Sequence, residues 1–439
     1  MLKNESVLHN RDLYLNRLIA FQDTEPVKII TGIRRCGKSS LMKLMVKHLS
    51  QSGIGYEQII ELNFESMEFR GMSTKALYQY VKERLPVDKR AYLFLDEIQR
   101  IAQWQDTVNA FRVDFNCDIY VTGSNTYLLS SEYATYLAGR SVEIKMLPLS
   151  FREFLDFHGY SIKEIKNPAG GMLRRIIDIE NESYDPRELL EAYMKFGGMP
   201  GITEVGLDTE KALALLDGIY STIVVRDILE REKRRGQRQI TDSNLLRKII
   251  MFLADNIGNS TSITSIGNTL MSESLLDSSQ KGKPAVQTIQ AYVGALQESF
   301  VFYEIKRFDI KGKEYLKTLG KYYIVDIGLR NYLLGFRKMD TGHIIENIVY
   351  FELLRRGYDV AIGKVYDREV DFIATNTSEK KYIQVTESMN DFSTREREFA
   401  PFHKIRDNYE KIIIANRCDN PVTKDGIRII MLTDFLLDQ

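Results

Sequence analysis

VKIITGIRRCGKSS, residues 27–40, is the stretch whose reading decides the fold. An apolar run from Val27 to Thr31 leads into Gly32, four further residues, then Gly37, Lys38 and Ser39. A strand before and a helix after this spacing is the setting of a phosphate-binding loop. The glycines let the backbone turn with its N–H groups facing inward, and the helix opening near Lys38 adds the positive end of its dipole. Lys38 would reach the β- and γ-phosphates of a nucleotide, and the Ser39 hydroxyl would ligate Mg²⁺. The candidate ATP-binding set is therefore Gly32, Ile33, Arg34, Arg35, Cys36, Gly37, Lys38, Ser39 and Ser40.

About sixty residues on, AYLFL (91–95) reads as a buried strand that ends in Asp96 and Glu97. Two adjacent carboxylates at that point are costly unless used. Asp96 is expected to hold the hydrated Mg²⁺ and Glu97 to act as the general base toward the attacking water. After DIYVT (118–122) come Gly123, Ser124 and Asn125. Ser124 and Asn125 are candidates for a polar reader of the γ-phosphate, with a plain turn as the competing reading. Arg140, after a glycine and before the strand SVEIKML, reads either as an arginine finger or as a surface arginine paired with an acid.

Strand and helix patterns alternate from Val27 to Leu147, with strands at VKIIT, QIIELNF, AYLFL, DIYVT and SVEIKML. Five strands separated by helices predict a parallel sheet of α/β class with its ligand at the carboxyl ends of the strands. An amphipathic helix is expected before Asp23. Residues 150 to about 235 read as mainly helical, with a polar loop from Asn167 to Tyr184 and a long helical stretch from Glu210 to Arg231. The basic run REKRRGQRQ (231–239) reads as a linker or a phosphate contact, and Thr241 or Asp242 as the cap of the next helix. From Leu245 to Tyr332 the order is helix, helix, helix and hairpin, which is winged-helix order. Gln287, Thr288, Gln290 and Tyr292 would then face a DNA groove, and Lys306, Arg307, Lys311, Lys313 and Lys317 would touch phosphates. A protein-packing lid is the alternative.

The last hundred residues predict a second α/β unit: the helix ENIVYFELLRRG, then strands DVAIG, EVDFIA and KYIQV. Glu346, Asp371 and Gln384 stand out as oxygen donors suited either to Mg²⁺ or to a structural hydrogen-bond network.

The length of 439 residues allows two or three domains, and Lys plus Arg balance Asp plus Glu at 60 each. Nothing global marks a nucleic-acid binder, so any DNA contact must come from a local patch. There is no apolar run long enough to span a membrane and no signal-peptide core, and three scattered cysteines (Cys36, Cys117, Cys418) form neither a disulfide framework nor a zinc site. A cytoplasmic protein is expected.

The blocks GIRRCGKSSLM, LFLDEIQ, VTGSN, LAGR, LPLSFREF and FGGMPG resemble a bacterial and archaeal group of AAA+-type ATPases with a C-terminal domain similar to restriction endonucleases. The resemblance implies an AAA+-like P-loop NTPase core (1–150), a helical lid (151–239), a winged-helix segment (240–335) and a PD-(D/E)XK nuclease-like domain (336–439). It implies that Gly198 and Pro200 form a motif near the base of ATP, and that Glu346, Asp371 and Gln384 occupy nuclease positions. The family lysine two residues beyond Gln384 is Thr386 here, so nuclease activity would need another lysine, with Lys364 and Lys381 nearest in sequence. The expected protein is a Mg²⁺-dependent ATPase acting as a nucleotide-driven switch on DNA. The alternatives are a non-catalytic nucleotide-gated binding module and an ATP-controlled nuclease, and a homo-oligomer stays open.

Overall fold

The computed structural model describes residues 8–123, 139–166, 172–223, 228–229, 240, 242–272, 285–315, 319–419, 421 and 423–438. The chain divides into two compact units, residues 1–147 with Glu298–Phe300, and the remainder.

In the first unit, strands β1 (Val27–Thr31), β2 (Ile59–Asn63), β3 (Ala91–Asp96), β4 (Cys117–Thr122) and β5 (Ser141–Lys145) form one sheet. Its order is β2-β3-β4-β1-β5 and every pairing is parallel. The sequence shows why: β1 and β3 are buried at every position, as strands covered on both faces must be. Helices Lys38–Gln51, Thr74–Lys82 and Trp104–Asp114 connect the strands, and Leu77, Val81, Val108 and Phe111 pack with Ile60, Leu93, Leu95 and Val121 in the core. The first helix, Asp12–Ala20, buries Tyr14 and Leu18.

The second unit opens with helix Phe151–Phe157, fixed by a capping box between Ser150 and Glu153. Part of the polar stretch expected as a loop from Asn167 to Tyr184 is instead sheet: β7 (Met172–Ile177) pairs antiparallel with β6 (Ser161–Lys166), which precedes that stretch, and with β8 (Ser183–Tyr184). The physical reason is cross-strand: Ile162 pairs with Ile176, and Asp178 closes the turn by accepting from the N–H groups of Glu180 and Glu182 and from the Tyr184 hydroxyl. No single segment shows that burial. Helices Pro186–Phe196, Ile202–Val205 and Thr209–Thr222 follow, the last opening the helical stretch expected from Glu210 to Arg231, of which residues 224–227, 230 and 231 lie outside the described residues. The run from Arg231 to Gln239 lies outside the described residues.

Three helices come next, Ser243–Asp255, Ile263–Ser272 and Val286–Glu298, the first capped by Asp242 as expected. β9 (Ser260–Thr261), β10 (Phe302–Ile305) and β13 (Gly320–Ile324) make a small antiparallel sheet in the order β10-β13-β9. The hairpin expected after the three helices is divided between two sheets. After Ile305 the chain steps across one residue into β11 (Arg307–Asp309), which pairs with β12 (Glu314–Tyr315) and, in parallel, with β14 (Asp359–Val365). The Lys-rich hairpin is therefore the edge of the C-terminal sheet, whose order is β12-β11-β14-β15-β16-β17-β18. β15 (Arg368–Thr375), β16 (Lys380–Ser388), β17 (Glu410–Arg417) and β18 (Ile427–Met431) complete it, with helices Ile327–Leu334, Thr341–Arg355, Phe392–Phe399 and Leu432–Leu437 alongside.

Candidate functional site

Gly32 follows β1 with φ at 140°, and a Cβ there would stand 2.1 Å from the Met146 carbonyl oxygen, so only glycine fits. Gly37, at φ 106°, ends the loop and begins helix Lys38–Gln51. The loop is held from outside itself. The buried Arg11 guanidinium donates to the Cys36 carbonyl at 3.1 Å and to the Leu147 carbonyl at 3.0 Å, tying the loop to the segment after β5. Lys38 is buried, and its ammonium donates to the Gly32 and Ile33 carbonyls at 3.0 and 3.1 Å. Ser39 and Ser40 are exposed. Cys36 is fully buried, a small filler of the loop.

Asp96 ends β3 at the same edge of the sheet. β4 lies between β1 and β3, which places the loop and the acids two strand spacings apart, roughly 10 Å laterally. Thr122, the last residue of β4, links the two acids: its hydroxyl donates to Asp96 and accepts the Glu97 N–H at 2.9 Å. Asn63 at the end of β2 donates to the other Asp96 oxygen at 3.3 Å. Glu97 adopts a left-handed backbone, φ 55°, so the chain turns sharply where the second acid leaves the strand. Its carboxylate accepts from the Gln99 amide.

Sequence reasoning missed Arg11 and Thr122. The partners of Arg11 lie up to 136 residues away, and Thr122 looks like an ordinary strand residue. Ser124 and Asn125 lie outside the described residues. Arg140 is described, and it stands at the other end of the strands: its carbonyl accepts the Val27 N–H at 2.9 Å and it is exposed. The length of β1, about 16 Å at the usual rise per residue, separates it from Gly32. A finger reaching the loop of its own chain is therefore corrected by simple reach.

The FGGMPG loop in the second unit is pinned by Asp326. This buried carboxylate accepts the Gly198 N–H at 2.7 Å and caps helix Ile327–Leu334 through the Leu329 N–H at 3.0 Å. Burial pushes its pKa up to about 6 despite these donors. Leu149 N–H bonds the Gly198 carbonyl at 2.7 Å, and Pro200 opens the short helix Ile202–Val205.

In the C-terminal sheet Glu346, Asp371 and Gln384 do come together, on helix Thr341–Arg355, β15 and β16. The Gln384 side chain accepts from the Asp371 N–H at 3.4 Å, and Asp371 accepts the Val385 N–H at 2.8 Å. The ammonium among them comes from neither Lys364 nor Lys381. Lys381 is tied to Glu379 and Glu410, and Lys364 stands opposite Glu369 in register. Lys321, from β13, reaches Glu346 at 3.0 Å and Glu369 at 2.7 Å. The Tyr323 hydroxyl also donates to Glu346. Burial opposes the charge on Lys321, but Glu346, Asp371 and Glu369 outweigh it and raise its pKa. Burial first, and then the Glu346 charge, hold Asp371 well above the usual carboxylate range. Lys321 and Tyr323 occupy one Glu346 oxygen, so a divalent cation entering this cluster would compete with an ammonium for the same carboxylate. Among the described residues no group of three or more His, Cys, Asp or Glu is placed to hold a metal ion.

Of the residues expected to face DNA, Tyr292 is corrected. It is buried and its hydroxyl accepts the Asp242 N–H at 3.0 Å. Gln287 and Gln290 are exposed, as are Lys306, Lys311 and Lys313, whereas Lys317 lies outside the described residues. No described helix is long and apolar enough to cross a membrane.

A parallel five-stranded sheet with this loop and these acids at its carboxyl edge defines a P-loop ATPase domain of AAA type, and residues 24–155 match the family model described as an AAA domain. Residues 187–340 match a domain of unknown function, DUF8612. The chain belongs to the same family as an uncharacterized protein of Haemophilus influenzae, 40% identical over 430 residues and covering 98% of both chains. Another member is the uncharacterized protein MJ1544 of Methanocaldococcus jannaschii, 30% identical over 418 residues, 92% of this chain and 85% of that one. Among solved structures, the Walker-type ATPase PABY2304 of Pyrococcus abyssi aligns at TM-score 0.47 and 16% identity, over 74% of this chain and 95% of its own. The Aeropyrum pernix ORC1 protein in complex with DNA aligns at TM-score 0.32 and 13% identity, over 74% and 92%. Scores this low carry no weight for function.

Proposed function

We propose that the chain is a Mg²⁺-dependent ATPase. The observation that carries this reading is the Thr122 hydroxyl, which fixes Asp96 and Glu97 at the sheet edge that also bears the phosphate loop. The amides of Ile33 to Gly37 would surround the phosphates, and Lys38 would exchange its loop carbonyls for β- and γ-phosphate oxygens. Exposed Ser39 and the Asp96 carboxylate, held in place by Thr122 and Asn63, would be the ligands of Mg²⁺, which would neutralise charge on the phosphates. Glu97 takes the proton of the attacking water. Arg140, too far from its own loop, would serve a neighbouring copy, which implies a homo-oligomer with shared sites. Three cysteines, none of them disulfide-bonded, suit a reducing compartment, which we take to be the cytoplasm.

The test is ATP binding and turnover in two variants. Lys38→Ala should lose ATP binding, whereas Glu97→Gln should bind ATP and turn it over at least ~100-fold more slowly, as for a lost general base. Turnover at the wild-type rate in either variant refutes the reading. A rate per subunit that rises with protein concentration supports Arg140 acting between copies, and a flat profile refutes it.

A second reading, a nucleotide-driven switch on DNA, is favoured by one observation. β9 lies between the first and second of the three helices and pairs with β13, giving the helix-strand-helix-helix-strand-strand order of a winged helix. Duplex binding that responds to a slowly hydrolysed ATP analogue and falls with salt would support it. For the ATP-controlled nuclease, the lysine at the acid cluster is Lys321, held by Glu346 and Glu369, in place of Lys364 or Lys381. Plasmid cleavage abolished by Asp371→Ala would support that reading, and cleavage unchanged by it would end it.

A further inference from the structure

Helix Phe392–Phe399 borders an open groove of about 810 Å³ on the C-terminal sheet. Four permanent cations line it, Arg368, Arg395, Arg397 and Lys424, with His403, against the carboxylates of Glu396 and Asp425. In a chain of zero net charge that is a local excess. The cations are not equivalent. Arg397 is paired with Glu398 at 2.9 Å, and Arg395 is turned inward, donating to the Met389 carbonyl and approaching the Cys418 sulfur at 4.0 Å. Arg368 and Lys424 are exposed and have no carboxylate partner among the described residues. Lys424 lies over the Phe399 ring at 5.7 Å. Phe392, on the rim, is 75% exposed.

We infer that this groove binds single-stranded nucleic acid, with Arg368 and Lys424 on phosphates and Phe392 stacking on a base. An exposed flat ring lining the same groove as two cations that have no carboxylate partner among the described residues suits a ligand that carries both anionic and aromatic groups, and an unpaired nucleotide strand is such a ligand. A duplex keeps its bases stacked inside and gives Phe392 nothing to meet. An acidic peptide would satisfy the cations but leave the ring in water. The inference rests on the reading of the chain as one that works on nucleic acid, and adds the place and the strandedness. It does not depend on the winged-helix residues or on ATP.

Fluorescence anisotropy of a labelled oligo-dT with the full chain, across a salt series, tests it. The variants are Arg368→Ala with Lys424→Ala, Phe392→Ala, and Lys311→Ala with Lys313→Ala in the hairpin. All these side chains are exposed, and circular dichroism checks that each variant folds. The groove pair should weaken binding at least ~10-fold and reduce the salt slope by roughly 1.4, the share of two phosphate contacts on a single strand. Phe392→Ala should cost about 5- to 100-fold, the range of one stacked base, with the slope unchanged. Competition by oligo-rU as well as oligo-dT supports a site common to RNA and DNA, and by oligo-dT alone a DNA site.

Four results overturn the inference, and they separate it from the broader reading. If the hairpin pair loses binding while the groove variants keep it, nucleic-acid binding stands and this groove is not the place. No binding of oligo-dT or duplex by the wild type removes both. Duplex that competes as well as oligo-dT removes the strandedness. Polyglutamate that displaces oligo-dT at equal charge marks the groove as an acidic-peptide site.

Discussion

Two groups of carboxylates in this chain meet charge in opposite ways. At the edge of the first sheet Asp96 and Glu97 are held by neutral donors, Thr122, Asn63 and Gln99, and the nearby Ser39 is exposed. In the C-terminal sheet Glu346 and Glu369 are bound by the ammonium of Lys321. The first pair is positioned by neutral hydrogen-bond donors, whereas the second is already neutralised by an ammonium. A cluster of acids is therefore not evidence of a metal centre until the source of the compensating positive charge is known.

The largest test of this contrast is Lys321→Met. Removing the ammonium leaves Glu346 buried without its cation, and the chain should lose about 3–5 kcal/mol of stability in denaturant melts. A loss under about 1 kcal/mol, the size of an exposed pair, would show that the pocket is not closed by charge. Next is Arg11→Ala, which strips two charge-assisted hydrogen bonds from the phosphate loop. It should cost about 3 kcal/mol of stability and raise the KM for ATP, whereas a change in kcat alone would mean that Arg11 acts elsewhere. Thr122→Val keeps the shape but removes the hydroxyl shared by Asp96 and Glu97. Turnover should fall roughly tenfold, about one hydrogen bond, with ATP affinity little changed. An unchanged kcat would break the view that neutral donors position the two acids.

The smallest effect is a pH dependence. The folded Asp326 carboxyl titrates near pH 6, above its unfolded value of 3.8. A raised carboxyl favours the folded state most below the unfolded pKa, and that contribution is lost as pH rises through about 6. The melting temperature of the wild type relative to Asp326→Asn should therefore fall between about pH 4 and pH 6 and level off above that. A difference that rises over that window would reverse the sign.

The first sheet was legible because β1 and β3 are short, mostly apolar strands that run straight into polar chemistry, so period, burial and motif agree within one short window. The C-terminal acids were legible as residues but not as a site. Lys321 sits in a strand 25 residues before Glu346, and nothing local to it distinguishes it from the solvated lysines of the same hairpin. The antiparallel strands β6 to β8 were hidden for a related reason: their apolar residues are sparse and bury one another only after the hairpin closes. Arg140 shows the converse. Its motif context suggested a role that parallel pairing with Val27 places a whole strand away from the loop.

The step at Lys306 has a mechanical consequence. Ile305 ends a strand of the small sheet and Arg307 begins a strand of the large one, while the Lys306 carbonyl itself accepts the Ile362 N–H at 3.0 Å. The junction has no slack, so it works as a rivet rather than a hinge. The small antiparallel sheet and the seven-stranded sheet are thereby joined through one residue that belongs to the hydrogen bonding of the second, so a displacement of β10 passes directly to β11.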